Sequence, residues 1–256
     1  MRLKNKVSVI TGGADGIGKA TALKFAKEGA KVVVADMNED AGQNVVAEVK
    51  EQGGEATFFK LDVTNFEEVN ALVEFTVDTY GSIDVMFNNA GIGINKPFLD
   101  HTLEDYHKVV AVNQHGVYYG MLAAARKMKE LGVKGAIINN ASVFGYVATL
   151  GVTGYQAAKG AVVMLTKHGA LELAPYGIRV VGIAPAAVNT NIVEGYRAAG
   201  LLDYMKKQQL TRELIEPEEI AEVVSFLATD EARVMNGSVV MADDGFASFK
   251  SDLRPF

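Results

Sequence analysis

The sequence predicts an α/β protein, a single domain built on a doubly wound parallel β-sheet with helices on both faces. Three observations lead there. Strand-like runs at 6–10, 31–35, 56–60, 84–88, 135–140, 179–184 and 238–241 are mostly separated by amphipathic stretches of helical length, the alternation of a parallel sheet. The first run enters a glycine-rich turn and then a helical pattern. Gly12, Asp36, Asn89, Ser142 and Pro185 all fall at or just after the carboxyl ends of these runs, where open α/β sheets bind their ligands.

The first run, Val7-Ser8-Val9-Ile10, leads into Thr11-Gly12-Gly13-Ala14-Asp15-Gly16-Ile17-Gly18, and a helical pattern follows from Ala20 to Glu28. Glycines let a backbone bend tightly and approach a pyrophosphate, whose charge the first N–H groups and dipole of the helix favour. With 26 glycines in the chain, the cluster taken alone is equally well an ordinary turn. The second run, Val32-Val33-Val34-Ala35, ends at Asp36. In a dinucleotide fold an acid at this point hydrogen-bonds the adenosine ribose, and it repels a 2′-phosphate. No Arg or Lys stands at 12–18 or directly after Asp36, so the pattern favours NAD over NADP. The competing reading makes Asp36 the opening of a polar loop, Asp36 to Asp40.

Asp62-Val63 follows the third run, Ala56 to Lys60, and Asn89-Ala90-Gly91 follows the fourth; both also read as turn chemistry. From Gly135 to Ala158 no residue is charged, a length sufficient to span a bilayer. Asn139, Asn140, Ser142, Thr149 and several glycines interrupt it, and it reads as a buried central strand, Ala136 to Asn140, running into a loop that excludes water. Next comes Tyr155-Gln156-Ala157-Ala158-Lys159, thirteen residues after Ser142. On a helix Tyr155 and Lys159 share a face. An ammonium beside a phenol favours the phenolate and makes it a usable proton donor and acceptor near neutrality. Ser142 is placed to hold the oxygen of a carbonyl or alcohol. The sixth run ends in Pro185-Ala186-Ala187-Val188-Asn189-Thr190, and the seventh in Asp243-Asp244-Gly245. Adjacent carboxylates in a strand point to opposite faces, and His101, His107, His115 and His168 have no familiar ligand spacing. No metal is expected.

From residue 3 to about 247 the chain resembles the short-chain dehydrogenase/reductase family, whose fold is the Rossmann type. The match is carried by Thr11-Gly12-x3-Gly16-Ile17-Gly18, Asp62-Val63, Asn88-Asn89-Ala90-Gly91, Asn113, Ser142, Tyr155-x3-Lys159 and Pro185 to Thr190. The resemblance implies a catalytic set of Ser142, Tyr155 and Lys159 with Asn113 as fourth member, its helix and a bound water completing a proton path from Lys159. It assigns NAD binding to Gly12, Asp15, Gly16, Ile17, Gly18, Asp36, Met37, Asp62, Val63, Asn89, Ala90, Gly91, Tyr155, Lys159, Pro185, Val188 and Thr190. Within that set Asp62-Val63 would contact adenine, Asn89-Ala90-Gly91 would pack on the ribose, and Thr190 would bond the nicotinamide carboxamide unless it caps the following helix. The substrate pocket would take Ser142, Phe144, Ile94, Tyr146, Ala187, Ile192 and Tyr196, under a mobile lid at about 191–214. Two positions depart from the family pattern: Ala186 where Gly is common, adding a methyl beside the nicotinamide, and Asp243-Asp244-Gly245 where Asp-Gly-Gly is usual.

The implied activity is NAD-dependent interconversion of a secondary alcohol and a ketone, as a carbonyl reductase or alcohol dehydrogenase. A 3-oxoacyl thioester reductase, a sugar or polyol dehydrogenase, and a non-catalytic NAD-binding sensor are the alternatives. The family is commonly a homotetramer, with helices around Asp105 to Lys129 and Gln156 to Pro175 at one interface and the C-terminal strand at another. Hydrophobic residues at 49% supply a large core, and a net charge of -6 with a pI near 5.3 offers no basic surface for nucleic acid. Cysteine is absent, which excludes disulfides and thiolate chemistry. No signal-peptide-like apolar core precedes the glycine turn, and cytoplasm is the expected location, without a membrane partner.

Overall fold

Strand β2 (Lys31–Asp36) shows why these runs lack polar alternation: both of its faces are covered. Val32 and Val34 join one apolar cluster, and Val33 and Ala35 join the cluster on the opposite side. The computed structural model describes residues 1–198 and 200–249, with the side chains of 195, 196 and 198 outside the described set. Its sheet comprises β1 (Val7–Thr11), β2, β3 (Glu55–Lys60), β4 (Val85–Asn88), β5 (Ala136–Asn140), β6 (Arg179–Pro185) and β7 (Val239–Ala242). The spatial order is β3-β2-β1-β4-β5-β6-β7, and every neighbouring pair is parallel. Each strand lies within a residue or so of its expected position.

Helices α1 (Gly16–Lys27), α2 (Glu39–Glu51), α3 (Phe66–Tyr80), α4 (Leu103–Val110), α5 (Gly116–Leu131), α6 (Thr153–Leu173), α7 (Asn191–Ala198), α8 (Leu202–Lys207) and α9 (Pro217–Ala228) complete the chain. One side of the sheet receives Phe25 of α1, Val45 and Val49 of α2, and Val224 and Leu227 of α9. The other receives Leu72 of α3, Met121 and Met128 of α5, and Val162 and Ala170 of α6. Helix starts follow local polar chemistry: the side chains of Asn38 and Asn65 accept from the first-turn amides of α2 and α3. Thr102 with Asp105, and Glu216 with Glu219, form capping boxes for α4 and α9.

Chain order reverses between β1 and β4, which are sheet neighbours although two strands separate them in sequence. The connections after β1 and β4 therefore leave in opposite directions and open a crevice at the carboxyl edge. Helix α1 starts at Gly16, earlier than the Ala20 expected, because the glycine turn already bends into its first turn. The uncharged stretch 135–158 resolves into β5, a 3-10 turn at Val143–Gly145 and the start of α6. No helix among the described residues is long and apolar enough to cross a membrane. Asp243 and Asp244 lie beyond β7 rather than in a strand, so the argument from opposite strand faces does not apply to them.

Candidate active site

The glycine turn packs directly on the turn after β4. Gly12 has φ +62°, and a Cβ placed on it would lie 2.8 Å from Ala90 Cα, so both its conformation and its neighbour require glycine. Asn89 ties three strand ends together. Its backbone N–H donates to Thr11 Oγ1 at 3.0 Å, and its side-chain amide donates to the carbonyls of Thr11 at 3.0 Å and Gly12 at 3.1 Å. Its Oδ1 accepts from Asn140 at the end of β5, at 2.9 Å. Asp36 leans over the same turn, with Oδ2 accepting from Ala14 N at 3.1 Å and Oδ1 from Asn38 N at 2.9 Å.

Ser142 leaves β5 through the 3-10 turn, its Oγ accepting from Phe144 N at 3.2 Å, and is 5% exposed. Tyr155 and Lys159 stand one turn apart near the start of α6, with Lys159 Nζ 5.4 Å from the Tyr155 ring centroid. Lys159 Nζ donates to the carbonyl of Asn140 at 2.6 Å, and only 3% of the residue is exposed. Burial pushes the Lys159 ammonium down to about 7, since a charge in so dry a place loses its hydration. Beneath it, Asn88 donates to Asn139 at 2.9 Å and Asn139 donates to Thr166 of α6 at 3.0 Å, so a buried amide ladder fixes this helix to β4 and β5.

Asn113 occupies a π-helical turn, Ala111–His115, between α4 and α5, a local widening common at functional sites. Its amide donates to the carbonyls of Ile92 and Val109, each at 2.9 Å. Its Oδ1 is buried and accepts no hydrogen bond from the described residues, as is true of Asn140 Oδ1. A Cβ on Gly91 would come within 2.8 Å of Asn113 Oδ1, so glycine at 91 admits this side chain.

Three connected hollows form one channel. Gly12, Asp15, Gly16, Ile17, Asp36, Asn89, Ala90, Gly91 and Thr190 line the first, of about 210 Å³. A narrow cleft of about 80 Å³ continues past Asn113, Asn140, Ser142, Tyr155, Lys159, Pro185, Ala186 and Val188. It opens into a cavity of about 870 Å³ that holds Ser142, Tyr155, Ile94, Phe144, Ala187 and Ile192 on its walls, together with Val152, Leu201 and Met205. A carboxylate at one end, a glycine turn on the start of a helix, and unpartnered amide oxygens in the cleft fit an extended dinucleotide whose reactive ring stops at Ser142 and Tyr155.

Several expected residues stand elsewhere. Met37 is 66% exposed, and neither it nor Asp62 and Val63 line the channel. Asp62 Oδ1 serves its own turn, accepting from Thr64 N at 2.9 Å and Thr64 Oγ1 at 2.7 Å. Tyr146 is 46% exposed and absent from the cavity wall, because the 3-10 turn carries Phe144 inward and leaves Tyr146 at its end. Tyr196 falls on α7, but its side chain lies outside the described residues. Gly18, by contrast, is buried within the first turns of α1 as the glycine motif requires.

Both departures now have a physical account. Ala186 lines the cleft without the positive φ that would strain an alanine, so the methyl costs space alone. Asp244 has φ +46°, and its carboxylate accepts from Thr211 N at 2.8 Å and Thr211 Oγ1 at 2.7 Å. It anchors the end of the 191–214 segment through a side chain that glycine lacks. Asp243 accepts from Gly245 N at 3.2 Å and Ala247 N at 2.9 Å. The sequence did not single out Gln209, which is 1% exposed; its Oε1 accepts from Ala187 N at 2.9 Å and its amide donates to the Glu213 carbonyl. Asn140, Leu201 and Met205 also went unassigned. A pair of amides ending an apolar strand was the one available signal, for Asn140.

A family profile described as enoyl-(acyl carrier protein) reductase matches residues 12–247. A 2,5-dichloro-2,5-cyclohexadiene-1,4-diol dehydrogenase of Sphingobium indicum is 39% identical over 250 residues, covering 96% of this chain and 98% of that protein. The cyclohexanol dehydrogenase of Acinetobacter sp. is 38% identical over 248 residues, covering 96% and 97%. A short-chain type dehydrogenase/reductase from Mycobacterium marinum superposes with a TM-score of 0.93 at 35% identity, covering 96% of this chain and 97% of that one. The chain belongs to the short-chain dehydrogenase/reductase family. It is an oxidoreductase of the kind that interconverts a secondary alcohol and a ketone, and dehydrogenases of this family use nicotinamide cofactors.

Proposed function

We propose that this short-chain dehydrogenase/reductase uses NAD(H) rather than NADP(H), with Tyr155 as the general acid/base and a cyclic secondary alcohol or ketone as substrate. The observation that carries the cofactor reading is Asp36, a carboxylate on the channel wall beside the glycine turn. A 2′-phosphate there would meet like charge, and no cation stands at 12–18 or just after Asp36 to receive it. The ring preference rests on the two relatives named for six-membered carbocyclic alcohols.

When bound, the nicotinamide accepts or supplies hydride. Ser142 holds and polarises the substrate oxygen, and Tyr155 takes the hydroxyl proton in oxidation or returns it in reduction. Lys159, desolvated and fixed by Asn140, biases the phenol toward its anion. Asn113, in the turn that widens the helix beside the cleft, is the fourth member of the set and supports a water-borne proton path from Lys159. The working form we propose is a single-domain subunit in a cytoplasmic homotetramer; exposed Tyr118 on α5 and Met164 and Leu171 on α6 are apolar groups that a subunit interface would cover.

The test is oxidation of NADH and NADPH with cyclic ketones. We expect NADH to be preferred, and Tyr155→Phe to lower turnover by roughly 10²–10⁴-fold while NADH binding, read by fluorescence titration, is kept. Preference for NADPH would overturn the reading of Asp36, and an active Tyr155→Phe protein would overturn that of Tyr155.

A further inference from the structure

The geometry points to a substrate larger than a single ring: we propose an uncharged, lipophilic ketone or secondary alcohol of two or more fused rings. Its oxygen lies at Ser142 and Tyr155 and its carbon body against Phe144, Val152, Leu201 and Met205. This rests on the alcohol–ketone reading above and adds the size and polarity of what is bound.

Volume is the first argument. The cavity measures about 870 Å³, and although the part beside Gly91 and Ala186 would go to the nicotinamide, the whole stands near the upper end of the roughly 300–1,000 Å³ seen for ligand sites. A one-ring alcohol held at Ser142 would leave the far walls facing water. Those walls are apolar, and Leu201 and Ile192 are 44% and 47% exposed, apolar surface that such a substrate would leave uncovered. Phe144 meets Phe246 edge-on, with ring centroids 5.7 Å apart, which backs this wall with a second ring.

Charge is the second. Among the described residues no acidic, basic or histidine side chain lines the cavity. Apart from Ser142 and Tyr155 the polar side chains described on the wall are Asn95 and Asn191, and the Asn191 amide already donates to the Asp15 carboxylate. A carboxylate, phosphate or polyhydroxylated chain would lose its hydration with almost nothing to replace it. Added rings, in contrast, bury carbon against carbon, and each buried carbon strengthens binding.

The experiment is steady-state reduction by NADH of three uncharged ketones with one reacting group in common: cyclohexanone, 2-decalone and a tetracyclic 3-ketosteroid. We expect kcat/KM to rise at least about tenfold from cyclohexanone to one of the larger two, mainly through KM. Met205→Trp, which adds bulk to the cavity wall, is expected to bring that ratio back toward one; Leu201→Trp, at a more exposed position, repeats the test should the first variant fold poorly. A kcat/KM that is flat or falls with ring number, while cyclohexanone is turned over, overturns the proposal and leaves the oxidoreductase reading standing. Silence toward all three ketones by a protein that binds NADH overturns both.

Discussion

Lys159 is the residue on which the proposed catalysis and stability pull in opposite directions. A Lys this deeply buried costs stability whenever it is charged, and in the mechanism we propose that charge serves the phenol of Tyr155 one helical turn away. In the folded protein its proton leaves at about 7, whereas the ordinary value is 10.5. Between those values the unfolded chain binds the proton and the folded one does not, so this residue's contribution makes stability rise with pH across that window and leaves it level below it. We expect Lys159→Met to remove this slope: the stability of the original protein relative to the variant should climb by at most about 4 kcal/mol from neutrality to pH 10. Urea denaturation at pH 6, 8 and 10 measures it, and a difference independent of pH would return Lys159 to an ordinary value. Tyr155 and Lys159 were legible in the sequence because their relation is local, four residues on one helix. Asn113 and Asn140 were not legible from spacing alone, since each acts through contacts with segments twenty or more residues away or nearly so: Asn113 with Ile92, Asn140 with Lys159 and Asn89.

At the scale of elements, the 191–214 segment is fastened by polar groups rather than by apolar packing alone. Gln209 joins the segment after α8 to the Pro185–Ala187 turn, and Asp244 joins the segment to the turn after β7. Replacing Gln209 by Leu would leave the Ala187 amide buried without its acceptor, a loss of about 1–3 kcal/mol. Hydrogen exchange should show faster exchange at the Ala187 amide in this variant, and chemical denaturation a lower midpoint; unchanged exchange at Ala187 would mean that the bond does not hold the turn. The glycine turn and the β4 turn show the complementary case, in which backbone approach does the fastening: Gly12 on Ala90 leaves no room for a side chain. The elements themselves were readable because apolar runs, glycine turns and Asn caps are properties of a few consecutive residues. The start of α1 and the start of the post-β7 turn shifted by up to a turn, because their boundaries depend on what the termini pack against.

At the scale of the whole molecule, a sheet covered on both faces must have a core on each side, and Phe87 of β4 lies at the centre of one of them, fully buried. Phe87→Ala should cost about 3–5 kcal/mol by thermal or chemical denaturation, because neighbouring strands prevent the sheet from collapsing into the space. A loss under 1 kcal/mol would mean that the core around β4 repacks. The crevice that holds the channel arises at this scale too, from the reversal of strand order between the parallel neighbours β1 and β4. By itself the sequence determined the parallel α/β class, the places of its strands, the glycine turn, the carboxylate at Asp36 and the Ser142, Tyr155, Lys159 set, because periodicity and spacing along a chain encode what neighbouring residues do. Only the tertiary structure decided that Phe144 and not Tyr146 walls the cavity, that Asp62 bonds its own turn, that Asp244 and Gln209 hold the 191–214 segment, and how much apolar space lies beyond Ser142. Those depend on which distant segments meet, and side-chain direction and enclosed volume exist only once they have met.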